Sequence, residues 1–89
     1  MFDKIVKIKD VKLEIGQLVR SLRKKEGLTQ EDLANLLELS RITIQNLEAG
    51  KNFTIDTLLK VLRHFDLLNT LLDVVIDKKI EIKNLKSLY

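Results

Sequence analysis

Residues 39–50, LSRITIQNLEAG, read as a short helix with a polar outer face. At 100° per residue, Ile44 and Leu47 point inward, while Ile42, Gln45, Asn46 and Ala49 fall on the opposite side. Arg41 and Thr43 flank that outer surface. What these side chains offer is directed hydrogen bonding, not proton transfer. The rest of the chain is equally poor in catalytic ingredients. His64 is the single histidine, cysteine is absent, and no Gly-rich phosphate loop or metal-spaced ligand cluster occurs. Glu31 and Asp32 are the most tempting acidic pair, but helix-dipole compensation and capping account for both. Sequence neighbours also point to different sides of a helix, so the two carboxylates do not converge on one substrate. The expectation is a protein that binds without catalysing, with no metal and no cofactor.

The chain has 89 residues, enough for one small domain with a limited core. Without cysteine, neither disulfides nor thiolate metal sites reinforce it. Leu, Ile and Val dominate the apolar 45%, a globular composition. No apolar run approaches 18 residues and the N-terminus interleaves Lys with Val and Ile, so a soluble, cytoplasmic protein with no membrane partner is expected. The net charge of +3 is too small to identify a polyanionic partner by itself. Arg20, Arg23, Lys24 and Lys25 do cluster before Gly27, where cations also suit a helix C-terminus.

Helical elements follow from spacing and punctuation. Val11, Ile15, Leu18, Val19 and Leu22 recur at helical intervals, with Asp10 as the expected cap and Gly27 as the stop. Gly16 falls inside this pattern and weakens it by roughly 1 kcal/mol relative to alanine. In TQEDLANLL, Thr29 and Asp32 form a variant capping box, and Leu33, Leu36 and Leu37 mark the buried side. Ser40 caps a third helix that ends at Gly50. Thr54 caps a fourth, carrying Ile55, Leu58, Leu59, Leu62 and Phe65. Residues 3–9 and 79–83 alternate apolar and charged side chains, a strand-like pattern, and TLLDVVI at 70–76 is rich in β-branched residues. By this pattern either 70–76 or 79–83 could be a strand, and a fifth helix across 70–76 fits as well.

Two short helices joined by a tight turn, the second polar outside, suggest a helix-turn-helix unit. GLTQEDLANLLELSRITIQNLEAGK resembles the Cro/lambda-repressor-like, or XRE, family. The matching positions are Leu28, Gln30, Leu33, Ala34, Leu39, Ser40, Ile44, Leu47, Glu48 and Gly50, within a resemblance covering roughly residues 13–67. One position departs: the family usually has glycine in the turn where this chain has Glu38, at a cost of roughly 1 kcal/mol if the turn stays left-handed. The fold implied is mainly α, a four- to five-helix lambda-repressor-like DNA-binding domain with a C-terminal strand used in dimerisation. Residues 1–12 would be an extension, 13–67 the helix-turn-helix domain, and 68–89 the dimerisation segment and tail.

The resemblance implies that residues 41–49 are a recognition helix in a DNA major groove, and the side chains suit that role. Arg41 can donate to guanine O6 and N7, Gln45 can pair with adenine N6 and N7, and Ile42 can meet a thymine methyl. Thr29, Gln30, Ser40, Thr43 and Asn46 are placed to hold phosphates and fix register, with Lys51 adding a salt-sensitive contact. The helix starts at Gln30 and Arg41 offer free N–H groups to anions. Ser40, Thr29 and Thr54 act as caps in any case. For Arg23 and Glu48 the resemblance implies an internal ion pair linking helices one and three.

Residues 52–75, NFTIDTLLKVLRHFDLLNTLLDVV, are further similar to the segment after the motif in antitoxin autorepressors paired with kinase-fold toxins. There a strand pairs with its counterpart in the dimer. The equivalent residues are Thr70, Leu71, Leu72, Val74 and Val75. The partners implied are double-stranded DNA, a second copy of the chain and a kinase-fold toxin. A two-fold dimer would also cover an exposed strand edge and match half-sites one helical turn apart. Leu85, Leu88 and Tyr89 in the tail are expected to dock on their own domain. The competing reading is a protein-interaction module on the same scaffold, with little specific DNA binding.

Overall fold

In the computed structural model, which describes residues 5–87, the chain forms five helices. They are α1 (Ile8–Lys25), α2 (Gln30–Leu37), α3 (Arg41–Glu48), α4 (Ile55–His64) and α5 (Leu68–Ser87). No strand occurs among the described residues. The strand expected at Thr70, Leu71, Leu72, Val74 and Val75 is corrected: all five residues lie in α5. A run of β-branched residues costs little in a helix, and i→i−4 bonding satisfies every backbone group that a lone strand would leave open. The alternation at 79–83 is helical for the same reason. At the other end, α1 starts at Ile8 with Lys7 as its N-cap, so Asp10 stands in the first turn instead of capping it. There it compensates the helix dipole.

The N-termini of α2, α3 and α4 are each closed by a hydroxyl. The Thr29 side chain accepts the Asp32 N–H at 3.0 Å while the Asp32 carboxylate accepts the Thr29 N–H at 2.9 Å, completing the capping box. These bonds from Thr29 hold the Asp32 carboxyl below the ordinary aspartate range. Ser40 and Thr54 accept from the N–H groups of Thr43 and Thr57.

The C-termini share one device as well. Gly27, Glu38, Gly50 and Asp66 all have positive φ, at 72°, 56°, 74° and 59°. After each, the next residue donates its N–H back across the last turn. Leu28 bonds Arg23 O, Leu39 bonds Ala34 O, Lys51 bonds Asn46 O and Leu67 bonds Leu62 O, at 2.8–3.1 Å. This is the left-handed helix stop that normally selects glycine. Glu38 and Asp66 adopt it despite their Cβ atoms, and the turn between α2 and α3 therefore keeps its shape without the usual glycine.

Val19, Leu33, Ala34, Ile44, Leu47 and Val61 form the sealed core, one or two residues from each of α1 to α4. Ile15, Leu28, Leu37, Leu39, Phe53 and Phe65 pack around it. Leu36 and Ile55, expected inside, are 57% and 69% exposed. An eight-residue α2 turns only a narrow arc inward, already filled by Leu33, Ala34 and Leu37, and Ile55 sits in the first turn of α4, ahead of the buried Thr57 and Val61. Val11 and Leu18 of α1 are likewise close to half exposed.

Gly16 explains how α1 and α3 meet. A Cβ at this position would lie 2.5 Å from the Glu48 carbonyl oxygen and 2.6 Å from that of Leu47. The glycine lets the end of α3 rest directly on the α1 backbone. Gly50, with its positive φ, closes the same contact against Leu13. α5 is different in kind: its main contact is with α4, and it projects from the four-helix unit. The 16.0 Å radius of gyration exceeds the ~12 Å of a compact chain of this length for that reason.

The Gly16→Ala variant should test the α1–α3 contact. Alanine adds roughly 1 kcal/mol of helix propensity, but the Cβ must displace backbone, which costs about 1–3 kcal/mol or more. A net loss of stability is expected, seen as a lower urea midpoint with unchanged m-value; a stabilised variant would show that α3 is free to shift outward.

Candidate nucleic-acid interface

The interface is built around one buried cation. Arg23, 8% exposed, donates from Nε to Glu48 Oε2 at 2.6 Å and from Nη2 to Oε1 at 3.0 Å. Its Nη1 also donates to the Leu28 carbonyl at 2.8 Å. The forked bond that Arg23 donates to Glu48 raises the guanidinium pKa above its already high ordinary value, outweighing the burial that opposes the charge. Gln30 adds a fourth bond, from Nε2 to Glu48 Oε1 at 3.1 Å. One carboxylate thus joins α1, α2 and α3, and no buried side-chain polar atom among the described residues lacks a partner.

Above this network lies an open cleft of about 780 Å³, walled by Arg20, Thr29, Gln30, Arg41, Gln45 and Ala49 among others. Arg41 and Gln45 stand one helical turn apart on α3 and share the cleft wall, as their spacing requires. Thr29 and Gln30 face them from the start of α2. The first N–H groups of α2 and α3, at Gln30, Glu31, Arg41 and Ile42, have no intrahelical partner and carry the positive end of each dipole. Glu31 is the one carboxylate on this wall that is not already paired with a guanidinium.

The remaining candidates sit outside the cleft. Ile42 is 65% exposed, an apolar side chain presented to solvent with nothing covering it. Ser40 and Thr43 share a 2.7 Å hydroxyl–hydroxyl bond at the start of α3. Asn46 is half-buried, and Lys51 is exposed just beyond the helix. Gln30 has less freedom than its sequence position suggests, because its amide is engaged with Glu48. Thr70, Leu71, Leu72, Val74 and Val75 are remote in the chain from this surface and belong to α5.

In the sequence Arg20 belongs to a general basic cluster with Arg23, Lys24 and Lys25. It lies three positions before Arg23, so the same face of α1 that delivers Arg23 to Glu48 delivers Arg20 to the cleft wall. That i, i+3 relation was the available signal. Lys24 and Lys25 do not line the cleft.

A family model described as helix-turn-helix matches residues 19–68, more than half of the chain. The protein belongs to this helix-turn-helix family. Its sequence is also 47% identical over 38 residues to a competence pilus inhibition repressor of Acinetobacter baylyi. That alignment covers 43% of this chain and 34% of the relative, so the chain spans about a third of the length of the curated protein it matches.

Two outcomes are expected here. Arg23→Met should cost roughly 3 kcal/mol in urea denaturation, because it strands a buried carboxylate, and the double variant Arg23→Met/Glu48→Leu should recover much of that loss. For Arg20→Ala, folding should be unaffected while binding to duplex DNA weakens similarly across sequences, with the salt-dependence slope reduced by about 1. An unchanged slope would remove Arg20 from the interface.

Proposed function

We propose that the protein is a sequence-specific DNA-binding regulator that represses transcription by occupying an operator through α3. The observation that carries this reading is the cleft wall: Arg41 and Gln45 project one turn apart from a helix whose back is locked by Glu48 and Gly16. Each forms two-pronged hydrogen bonds, Arg41 with guanine and Gln45 with adenine, worth roughly 1–3 kcal/mol of discrimination per base. Ile42 supplies an exposed apolar contact for a thymine methyl. Thr29, Ser40, Thr43, Asn46 and Lys51, with the helix N-termini, hold the phosphates. Membership of the helix-turn-helix family and the similarity to the Acinetobacter baylyi competence pilus inhibition repressor support the same direction. The reading assigns no catalytic step to the chain.

A homodimer on a palindromic operator is the finer form of the proposal. Two-fold symmetry in the protein would be matched by two-fold symmetry in the site. Pairing with a kinase-fold toxin has narrower support, the similarity of residues 52–75 alone, and the helical fold of residues 70–75 removes the strand on which that comparison relied. The rival function, a protein-interaction module without DNA recognition, is disfavoured by the cationic and amide character of the cleft wall.

Selection from a random duplex pool decides between them. The wild type should enrich a palindromic sequence, and Arg41→Ala/Gln45→Ala should lose that enrichment while keeping weak, salt-sensitive binding. Failure of the wild type to enrich any sequence would put the interaction module in first place.

A further inference from the structure

α5 exposes much of its apolar surface: Leu72, Val74, Val75, Ile80, Ile82 and Leu85 are each about half exposed. Part of this set follows a seven-residue repeat. With Leu68 at position a, Leu71 falls at d, Val75 at a, Lys78 at d, Ile82 at a and Leu85 at d. Leu68 and Leu71 are half-buried at the α4 end, so the repeat leaves the head as a continuous seam and becomes exposed from Val75 onward. We infer that this seam is the contact for a second copy of the chain, the two α5 helices lying parallel as a short two-stranded coiled coil.

Two features of the seam select that occupant and that direction. The first is shape: β-branched Val75 and Ile82 at a, with Leu71 and Leu85 at d, is the combination that packs two parallel helices. The second is charge: an antiparallel pair would set e against e and g against g, placing Lys79 near lysine and Glu81 near glutamate. Lys78 is the single charged residue in the seam. Its ammonium reaches Glu81 at 3.0 Å within its own helix and stays 70% exposed, so it can remain solvated at the edge of the contact. One lysine in a seam limits affinity but fixes register.

The inference rests on the dimeric form of the proposed regulator, and it is tested without DNA. The chain has no cysteine, so Val75→Cys and Ile82→Cys each introduce a single thiol at an exposed site outside the core. Under mild oxidation of the full chain, both variants should form disulfide-linked homodimers in high yield. Positions 75 and 82 are roughly 10 Å apart along a helix, so an antiparallel pair cannot join both to themselves, and in a mixture it would favour 75-to-82 links. Lys78→Leu should tighten dimerisation at least tenfold in sedimentation equilibrium, with the thermal transition of the helical head otherwise preserved. Preferred 75-to-82 links, or no links from a chain that stays monomeric at about 50 μM, would overturn the inference. Antiparallel links together with an enriched palindrome would sink this geometry and leave the repressor reading standing. Parallel links with no enriched sequence would support this geometry and sink the repressor reading.

Discussion

The Arg23–Glu48 contact sets the geometry of everything in front of it. Arg23 belongs to α1, Glu48 ends α3, Gln30 begins α2, and the Leu28 carbonyl lies in the turn between α1 and α2. A carboxylate and a guanidinium this well hidden from water tolerate few arrangements, because each lost bond leaves a buried polar group unsatisfied. The pair therefore does more for orientation than for net stability. It fixes the rotation of α3 about its own axis, which decides which side chains face the cleft. Gly16 fixes the depth of the same helix, since its missing Cβ lets the Leu47 and Glu48 carbonyls reach the α1 backbone.

This division of labour separates the residues that hold α3 from those it presents. Ile44 and Leu47 anchor its inner face at 0% exposure, while Arg41 and Gln45 keep their side-chain donors available and Ile42 presents an apolar side chain to solvent. Such a surface can change its contacts without disturbing the core. It also suits recognition of a rigid partner, because the presenting helix loses little freedom on binding.

The parts of the structure legible in the sequence were those encoded locally. Thr29, Ser40 and Thr54 announced three helix starts, and Gly27 and Gly50 two stops, since capping depends on residues only a few positions apart. The outer face of α3 was legible for the same reason. Packing was less accessible. Gly16 looked like a small weakness in α1, whereas it is the point of closest approach to α3, a fact that depends on a residue 32 positions away. Leu36 and Ile55 fit the helical period yet lie outside, because periodicity identifies a face and not how much of it is covered. Residues 70–75 leave strand and helix open in the sequence, because β-branched residues suit extended chain only where there is a sheet to join; the structure makes them part of α5. Arg20 was hidden in a basic cluster that the fold divides between the cleft wall and open solvent.

The seating of α3 on Gly16 has a consequence for polarity. A helix of eight residues is short enough that its two ends are electrically distinct over little more than 10 Å. Here the carbonyl-rich end is sunk against α1, and the end bearing free N–H groups, with Arg41 as its first residue, stands at the cleft. An anion approaching from that side meets the donor pole while the acceptor pole is masked by protein. The absence of one methyl group at position 16 thus gives α3 an electrical front and back.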